Sequence, residues 1–434
     1  MRYIPFTQEI EQFMLNEIGV NSFNELLNMI PESLRIKDSL GLPEGASEQD
    51  LVQEFNEFIS LINSSKSNIC FSGAGAYDHF IPCAVDFLAN RSEFYTSYTP
   101  YQAEVSQGTL QYLYEFQTMI CEITGMEIAN ASLYDGGSAI AEACSLALAY
   151  SRKNKIYISK AVNPRFIEVV KTYLSYRDSE IIFLNYEKGK TLLSDIDWEN
   201  TAGVVIQSPN YYGIVEDIKE AKSKFKNSKS QLIITGDPFS YGIIKSPGEC
   251  GADIYAGEGQ VFGNYLSYGG PYLGLFAVKN HLMRKMPGRI IGKTEDLDGK
   301  DGYVLTLQTR EQHIRRENAT SNICTNQGLM ALRATIYLSL IGKNGFKNII
   351  QQCFSKAHYL ASKIAEINGF YLESNNFIRE FIIKTTISAD KIVEEAYLNG
   401  FTLKSISKNE LLIAVTEKRT DKEINDLINF FKLL

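Results

Sequence analysis

Apolar and polar residues alternate along most of this chain with the periods of short strands and short helices. From about residue 130, apolar segments of strand length, such as KIYIS at 155–159 and QLIITGDP at 231–238, are separated by segments with a helical apolar period. One of these helices is expected to begin near Pro164, because proline suits the first helical turn. This alternation predicts right-handed crossovers and a mostly parallel sheet that is covered on both faces.

The two ends of the chain have a different pattern. The first sixty-odd residues are expected to form helices, since Ser22 and Glu25, and again Ser47 and Asp50, have the spacing of helix N-caps. A following apolar stripe is expected to pack on a neighbouring domain or subunit; its members are Leu51, Phe55, Phe58, Ile59 and Ile62. Near the other end, a helix over 326–342 and a second one to about Asn368 precede alternating strands and helices. We therefore predict three parts, which are an N-terminal helical segment (1–66), a large α/β domain (67–325) and a small α+β domain (326–434).

One polar region has little period of either kind. It covers residues 300–325, and the charged stretch 293–301 beside it is expected to form an exposed loop. Within this region Arg315, Arg316 and Glu317 could hold a carboxylate or phosphate, because guanidinium groups bind both in a fork geometry. An ion-paired loop explains the same three residues, and the sequence leaves both readings open.

Composition and charge exclude several classes of protein. The chain has 434 residues, of which 44% are hydrophobic and 22% charged, with a formal net charge of −8. It contains no basic run of the kind that nucleic-acid binding needs, and no apolar stretch long enough for a membrane span. The seven cysteines are widely spread, and MRYIPFTQEIEQ at the start lacks the apolar part of a signal peptide, so a cytoplasmic protein with reduced thiols is expected. The four histidines show no metal-binding spacing, and no metal is expected.

A glycine-containing turn is the first segment that could carry chemistry. Asp135, Gly136, Gly137 and Ser138 lie between a predicted strand and an alanine-rich helix. Unpaired N–H groups at a helix start, next to glycines that allow close approach, form an anion site. A tight turn in which Asp135 or Ser138 caps the helix explains the same residues equally well.

Two further positions lie near the ends of predicted strands. Asp237 ends the strand of QLIITGDP, where an acid points into the crevice that usually binds ligands, although Asp-Pro is also a common turn. In pyridoxal-phosphate enzymes an aspartate at such a place pairs with the pyridinium nitrogen. These enzymes carry their Schiff-base lysine shortly afterwards, but no lysine occurs between Lys245 and Lys279, and Gln260 stands at roughly the expected place. A carboxamide cannot form the imine.

Several long segments together resemble one family. The sequence is similar to the first (α) subunit of the split glycine dehydrogenase, the decarboxylating P-protein of the glycine cleavage system. The resemblance runs essentially from end to end, and it is carried by YIP at 3–5, FSGAGAYDHFIP at 71–82, the segment 94–139, GADIYAGEGQ at 251–260, LSYGGPYLG at 266–274 and LQTREQHIRRENATSNICTNQ at 307–327.

The resemblance implies a fold and a division of labour. The fold would be that of fold-type-I pyridoxal-phosphate transferases, with a mostly parallel seven-stranded sheet domain and a smaller C-terminal α+β domain. The assembly would be an α2β2 tetramer in which pyridoxal phosphate and its lysine belong to the β subunit. The pair would decarboxylate glycine and pass the aminomethyl group to the lipoyl arm of the H-protein.

The same resemblance implies roles for particular residues. Gly136, Gly137, Ser138 and Asp237 would be remnants of an ancestral cofactor pocket. The segment placed against the glycine site of the β subunit would be Tyr98, Thr99, Pro100, Tyr101, Gln102, Ala103 and Glu104. A purely structural loop between subunits is the other reading of that segment.

Two alternatives belong to other functional classes. The chain could be a self-sufficient pyridoxal-phosphate enzyme that uses Lys245 or Lys279. It could also be a non-catalytic scaffold that stabilises the β subunit and docks the H-protein.

Overall fold

The computed structural model describes residues 7–36, 40–61, 68–226 and 229–434. The chain divides into two compact units, Met1–Ser67 and Asn68–Leu434. The helices of the first unit are α1 (Gln8–Ile18), α2 (Phe23–Leu26) and α3 (Glu48–Leu61).

The first unit contains one of the two expected capping arrangements. Ser47 Oγ accepts from the Asp50 backbone N–H at 3.2 Å, as the spacing predicted. Ser22 is the N-cap residue of α2 without a capping side-chain bond, and Glu25 instead accepts from the Asn21 N–H. In the predicted apolar stripe, Leu51, Phe55, Phe58 and Ile59 are exposed, and Ile62 lies outside the described residues. Its packing on a neighbour therefore stays a prediction.

The second unit contains most of the chain. In chain order its strands are β1 (Ile69–Cys70), β2 (Ile128–Ala129), β3 (Lys155–Ser159), β4 (Glu180–Leu184), β5 (Tyr186–Glu187), β6 (Lys190–Thr191), β7 (Thr201–Gln207), β8 (Gln231–Thr235), β9 (Ile254–Glu258), β10 (Gly274–Val278), β11 (Ile290–Glu295), β12 (Asp301–Thr306), β13 (Phe370–Leu372), β14 (Glu380–Thr385), β15 (Phe401–Thr402), β16 (Lys404–Ser407) and β17 (Glu410–Ala414). Its helices are α4 (Cys83–Ala89), α5 (Ser92–Tyr95), α6 (Gln107–Thr124), α7 (Gly136–Ser151), α8 (Pro164–Leu174), α9 (Ile218–Ser223), α10 (Gln312–Arg315), α11 (Gly328–Ala365), α12 (Ala389–Leu398) and α13 (Asp421–Leu433).

A seven-stranded sheet forms the centre of this unit. Its order is β2-β10-β9-β8-β7-β3-β4, and the strands from β9 to β4 run parallel, whereas β10 is antiparallel to both neighbours. Alternate residues of one strand enter opposite cores: Leu232 and Ile234 pack on one face, and Ile233 packs on the other. The predicted mostly parallel sheet is confirmed, and apolar packing on both faces explains why its central strands are almost continuously hydrophobic.

The C-terminal part is built around a second sheet. Four antiparallel strands lie in the order β13-β14-β17-β16, and β1 pairs in parallel with β15. The long helix α11 is broken at Gly342, whose φ of 57° and ψ of −176° are not helical. This break confirms the prediction of two successive helices there.

The polar region after residue 290 differs from the prediction. Strands β11 and β12 form an antiparallel hairpin from the pair Ile290–Thr306 to the pair Glu295–Asp301. The hairpin is held by α6, since Gln107 Oε1 accepts from the Tyr303 N–H at 2.8 Å and Gln117 Oε1 accepts from the Ile291 N–H at 2.9 Å. The stretch 293–301 is exposed as expected, but only its middle forms a loop, because its two ends belong to β11 and β12. The strand after residue 300 was not indicated by the weak periodicity there, because it depends on tertiary hydrogen bonds that local periodicity does not report.

The helices in the described ranges are all too short or too polar to cross a lipid bilayer. All seven cysteines are free thiols.

Candidate functional site

The first group of predicted site residues meets at one edge of the large sheet. Asp237 follows β8, Glu258 ends β9, Gln260 comes two residues later, and Gly136 begins α7. This is the carboxyl edge of the parallel strands, where open α/β sheets bind ligands.

The glycine turn holds a carboxylate of the chain itself. Asp135 and Ser138 form a capping box, in which the Ser138 N–H donates to Asp135 Oδ1 at 2.7 Å. The Gly136 N–H donates to Glu258 Oε2 at 2.9 Å. A Cβ on Gly136 would lie 2.9 Å from the Cβ of Glu258 and 3.0 Å from Cζ of Phe166. The predicted cap is thus confirmed, and the group that accepts from the Gly136 N–H at this helix start is the Glu258 carboxyl group.

Glu258 links the turn to Gln260. Its Oε1 accepts from the backbone N–H of Gln260 at 2.9 Å and of Leu273 at 3.0 Å. Burial raises the pKa of Glu258 to about 8, although its three N–H partners lower the pKa in part. This buried carboxyl group fills the space between strand end and helix start.

Asp237 is paired with a cation from the second sheet. Arg379 Nη2 lies 2.7 Å from Asp237 Oδ1, and both side chains are buried. The guanidinium carbon lies 3.8 Å from the centroid of the Tyr77 ring, at cation–π distance. The position that a pyridinium nitrogen would need beside Asp237 is therefore taken by a guanidinium group.

Arg379 also contacts a buried cluster that contains His79 and Glu417. Arg379 Nη1 hydrogen-bonds to His79 Nε2, and His79 Nδ1 lies 2.6 Å from Glu417 Oε2. Burial alone would raise the pKa of Glu417, but its interactions with His79 and with backbone N–H groups lower the pKa to about 2.

Cys353 completes this cluster, and its ligand atoms and those of His79 and Glu417 lie within 4.8 Å of one another. Burial raises the pKa of the Cys353 thiol to about 12, and Arg379 contacts the histidine from its other side. A metal cation there would meet a protonated thiol and a neighbouring guanidinium charge. The cluster is better explained as an internal ion-pair network than as a metal site.

Gln260 uses every hydrogen-bonding group of its carboxamide within the chain. Its Oε1 accepts from the Tyr77 N–H at 2.9 Å, and its Nε2 donates to the carbonyl oxygens of Tyr77 at 3.1 Å and of Asn264 at 2.7 Å. The side chain is only 1% exposed. At the position where a Schiff-base lysine was expected, the chain has a structural amide.

Little space remains between these side chains. The cavity that Tyr77, Phe166, Asp237 and Glu258 help to line has a volume of about 20 Å³. That is room for about one water molecule, whereas pockets for cofactor-sized ligands start near about 300 Å³. These residues do not fit pyridoxal phosphate. Asp237, which would pair with the cofactor nitrogen, is paired with Arg379, and the N–H group of Gly136, which would bind its phosphate, donates to Glu258. The remaining cavity is also too small for the cofactor.

Several residues of this network were not singled out from the sequence. They are Tyr77, His79, Glu258, Arg379, Glu380 and Glu417. One signal was available for Arg379 and Glu380, since these two adjacent charges come directly before the apolar run FII at 381–383. Buried charges of that kind need partners, but which partners they find depends on the tertiary fold.

Glu380 gives a pH-dependent prediction. Its Oε1 accepts from the Ala74 N–H at 2.6 Å and its Oε2 from the Tyr77 hydroxyl at 2.9 Å, and burial raises its pKa to about 7. The folded chain therefore keeps a proton that the unfolded chain releases above its ordinary pKa of 4.5. The contribution of Glu380 to stability is expected to fall by about 3 kcal/mol as the pH rises from about 4.5 to 7, and to stay constant above that.

The Glu380→Gln variant tests this expectation, because glutamine does not ionise: its Oε1 can still accept from the Ala74 N–H, and its Nε2 can donate to the Tyr77 hydroxyl oxygen. Urea unfolding at constant ionic strength should show that the variant gains about 3 kcal/mol relative to the unsubstituted chain between pH 4.5 and 8. Two parallel curves of stability against pH would contradict it.

The second group of predicted site residues is the segment 98–104, which is not part of the network around Asp237 and Gln260. Tyr98 is 82% exposed and Tyr101 is 53% exposed, Gln102 and Glu104 are also exposed, Thr99 is half-buried and Pro100 is buried. The exposed residues of the segment thus form an aromatic and polar surface, and Pro100 is its buried residue.

Tyr101 is held by a buried arginine. The Arg289 guanidinium carbon lies 5.5 Å from the centroid of the Tyr101 ring, and the arginine is 1% exposed. Arg289 also donates to Thr325 Oγ1 at 2.6 Å and to the Cys324 carbonyl oxygen at 3.1 Å. Arg289 therefore fixes the segment against the loop that precedes α11.

The architecture defines a class of protein. The large sheet with one antiparallel strand, and the second antiparallel sheet, are those of fold-type-I pyridoxal-phosphate-dependent enzymes. Glutamate decarboxylase of Lactobacillus brevis shares this fold with a TM-score of 0.65 at 12% identity, over 95% of this chain and 96% of that one. A solved structure titled glycine decarboxylase (P-protein) of the glycine cleavage system, in inhibitor-bound form, has a TM-score of 0.90 and 34% identity, and the whole of both chains is covered.

Sequence comparisons identify the family within that class. The family model of the glycine cleavage system P-protein matches residues 1–431. The proteins called probable glycine dehydrogenase (decarboxylating) subunit 1 in Chloroherpeton thalassium and Desulforamulus reducens are 45% and 46% identical, over 100% and 98% of both chains. The chain belongs to the glycine cleavage system P-protein family.

Proposed function

We propose that this chain is the glycine dehydrogenase subunit that forms no covalent bond with the cofactor. Together with a β subunit that carries pyridoxal phosphate, it decarboxylates glycine and transfers the aminomethyl group to the lipoyl arm of the H-protein. Full-length similarity to proteins named glycine dehydrogenase subunit 1 supports this function. The exclusively free cysteines are consistent with a cytoplasmic enzyme.

One observation carries the division of labour. Gln260 stands at the lysine position with its amide fully hydrogen-bonded, and the cavity beside it holds only about 20 Å³. Gly136, Gly137, Ser138 and Asp237 are, in this proposal, remnants of a pocket whose contents are now Glu258 and Arg379. The cofactor supplies an acceptor for the electron pair left by decarboxylation, and it does so on the partner.

The contribution of this chain to the reaction is assigned to the exposed segment Tyr98–Glu104. In an α2β2 assembly the segment would face the glycine site of the β subunit, where Tyr98 and Glu104 bind and orient the substrate and exclude water. Arg289 would act as a positioning residue, because it holds Tyr101 from the buried side.

The self-sufficient enzyme is disfavoured by the position of its candidate lysines. Lys279 follows β10, whose Val278 pairs with Ile254 at the start of β9, so it lies at the sheet end opposite to Glu258. Its Nζ lies 3.5 Å from Asp253 Oδ1. Lys245 is exposed on a loop. Neither lysine lies at the carboxyl edge in a cofactor-sized cavity.

The proposal is tested by comparing the isolated chain with the reconstituted complex. The isolated chain with added pyridoxal phosphate should show no glycine–bicarbonate exchange and no visible absorbance band that depends on Lys245 or Lys279. Adding the lysine-bearing β subunit should start the exchange. Glycine turnover by the homogeneous isolated chain, lost in a Lys245→Ala or Lys279→Ala variant, would reject the proposal.

A further inference from the structure

A cavity lined by arginines lies beside α10. Its volume is about 440 Å³, and its lining residues are Arg284, Leu307, Thr309, Arg310 and Arg315. Arg315 belongs to the cluster that the sequence left open between an oxyanion site and an ion-paired loop. The contacts of these arginines distinguish an anion site from an ion-paired loop.

The expected alternative of an ion pair within this cluster is not seen among the described residues, since Glu317 accepts from Asn318 Nδ2 and forms no ion pair with Arg315 or Arg316. In the described part of the chain, Arg284, Arg310 and Arg315 form no ion pair with an acidic side chain. The acid next to them, Glu311, is buried and its Oε2 lies 3.8 Å from His313 Nδ1. The positive charges around the cavity are thus only partly balanced.

Arg310 is the half-buried member of this set. One of its terminal nitrogens donates to the Met286 carbonyl oxygen, while its Nε and its other terminal nitrogen are buried without a hydrogen-bond partner. Burial lowers its pKa, and only the nearby Glu311 opposes that effect. A buried guanidinium with free donors is costly. Glu311 Oε1 is also buried without a hydrogen-bond partner, and an anion in the cavity that reached the Arg310 donors would supply acceptors.

We propose that this cavity binds a phosphate group, either free or as the ester of a small molecule. Three guanidinium groups offer forked donors that match phosphate oxygens, and the Thr309 hydroxyl adds a further donor. A doubly charged phosphate balances more of this charge than a single carboxylate does. The volume falls in the range of about 300–1,000 Å³ that small-molecule sites occupy.

The site adjoins the segment described above, although the inference does not depend on the proposed function. The His313 ring, on the same short helix as Arg315, lies with its centroid 6.1 Å from that of Tyr101. A ligand held by Arg315 would thus bind close to the exposed aromatic surface.

The test is a calorimetric titration of the full chain with inorganic phosphate, at constant ionic strength set by chloride. One-site, saturable binding is expected, and Arg315→Gln or Arg284→Gln should each weaken it about tenfold. Arg316→Gln is the matched control, since Arg316 is exposed on the same loop but does not line the cavity. It removes the same charge and should change the affinity less than about twofold.

Two further titrations, with glycerol phosphate and with acetate, identify the chemical class of the ligand. Glycerol phosphate that binds at least as tightly as inorganic phosphate would assign an ester as the source, and tighter binding of free phosphate would assign the inorganic ion; acetate should bind at least tenfold more weakly than either. Acetate binding as tight as phosphate, no saturable binding, or equal weakening by Arg316→Gln and Arg315→Gln would each overturn the proposal. The two test positions are exposed, so thermal unfolding of the variants should match that of the unsubstituted chain.

Discussion

Replacing Arg379 with methionine should lower the free energy of unfolding by about 3–5 kcal/mol. Methionine keeps much of the side-chain volume but leaves Asp237 buried without the cation that now lies 2.7 Å away. It also removes the hydrogen bond to His79 and the contact with the Tyr77 ring. Urea unfolding, followed through the single tryptophan, Trp198, and by circular dichroism, measures the loss.

The control is the double variant Arg379→Met with Asp237→Asn. Replacing both members of a buried ion pair is often close to neutral, whereas breaking it leaves one charge uncompensated. The double variant should therefore recover at least half of the stability that the single variant loses. A double variant as unstable as Arg379→Met, or a single variant as stable as the unsubstituted chain, would show that the pair does not carry the energy assigned to it.

Replacing Tyr98 with alanine should reduce glycine–bicarbonate exchange by the reconstituted complex about hundredfold. Tyr98 is 82% exposed in this chain, so its loss should leave the stability of the subunit within about 0.5 kcal/mol. A large effect on exchange would then show that Tyr98 contributes to the active site of the complex. Size-exclusion chromatography establishes that the complex still assembles.

Tyr176→Ala is the matched control for this experiment, because Tyr176 is just as exposed and lies on the loop after α8. Its exchange rate should equal that of the unsubstituted complex. Full exchange by an assembled Tyr98→Ala complex, with the same result for Glu104→Gln, would favour the scaffold hypothesis over a catalytic contribution from this segment.

A single substitution at Gln260 should not make this chain a pyridoxal-phosphate enzyme, because side chains fill the surrounding space. Gln260→Lys would place an amine beside Tyr77, but Glu258 would still bond the Gly136 N–H and Arg379 would still pair with Asp237. To bind the cofactor, Asp237 and the Gly136 N–H would both have to lose their present partners, and the cavity would have to become larger.

The sequence alone determined the features that depend on local periodicity and on residue chemistry. The apolar runs at 155–159 and 231–235 specified strands, and Pro164 and Asp135 specified the starts of helices, because dihedral limits and capping act within a few residues. The sequence alone also showed that lysine is absent between Lys245 and Lys279 and that Gln260 stands near the expected position. No structure was needed for this inference, because imine formation always requires a primary amine.

Only the tertiary structure decided which side chains fill the space beside Asp237 and Gly136. Arg379 lies 142 positions after Asp237 and Glu258 lies 122 after Gly136, so no local pattern connects them. The same holds for the hairpin after residue 290, whose edges are held by glutamines of α6, and for the arginines that surround the cavity near α10. Burial and pairing of charges arise from contacts across the fold, and therefore they become visible only when the fold is known.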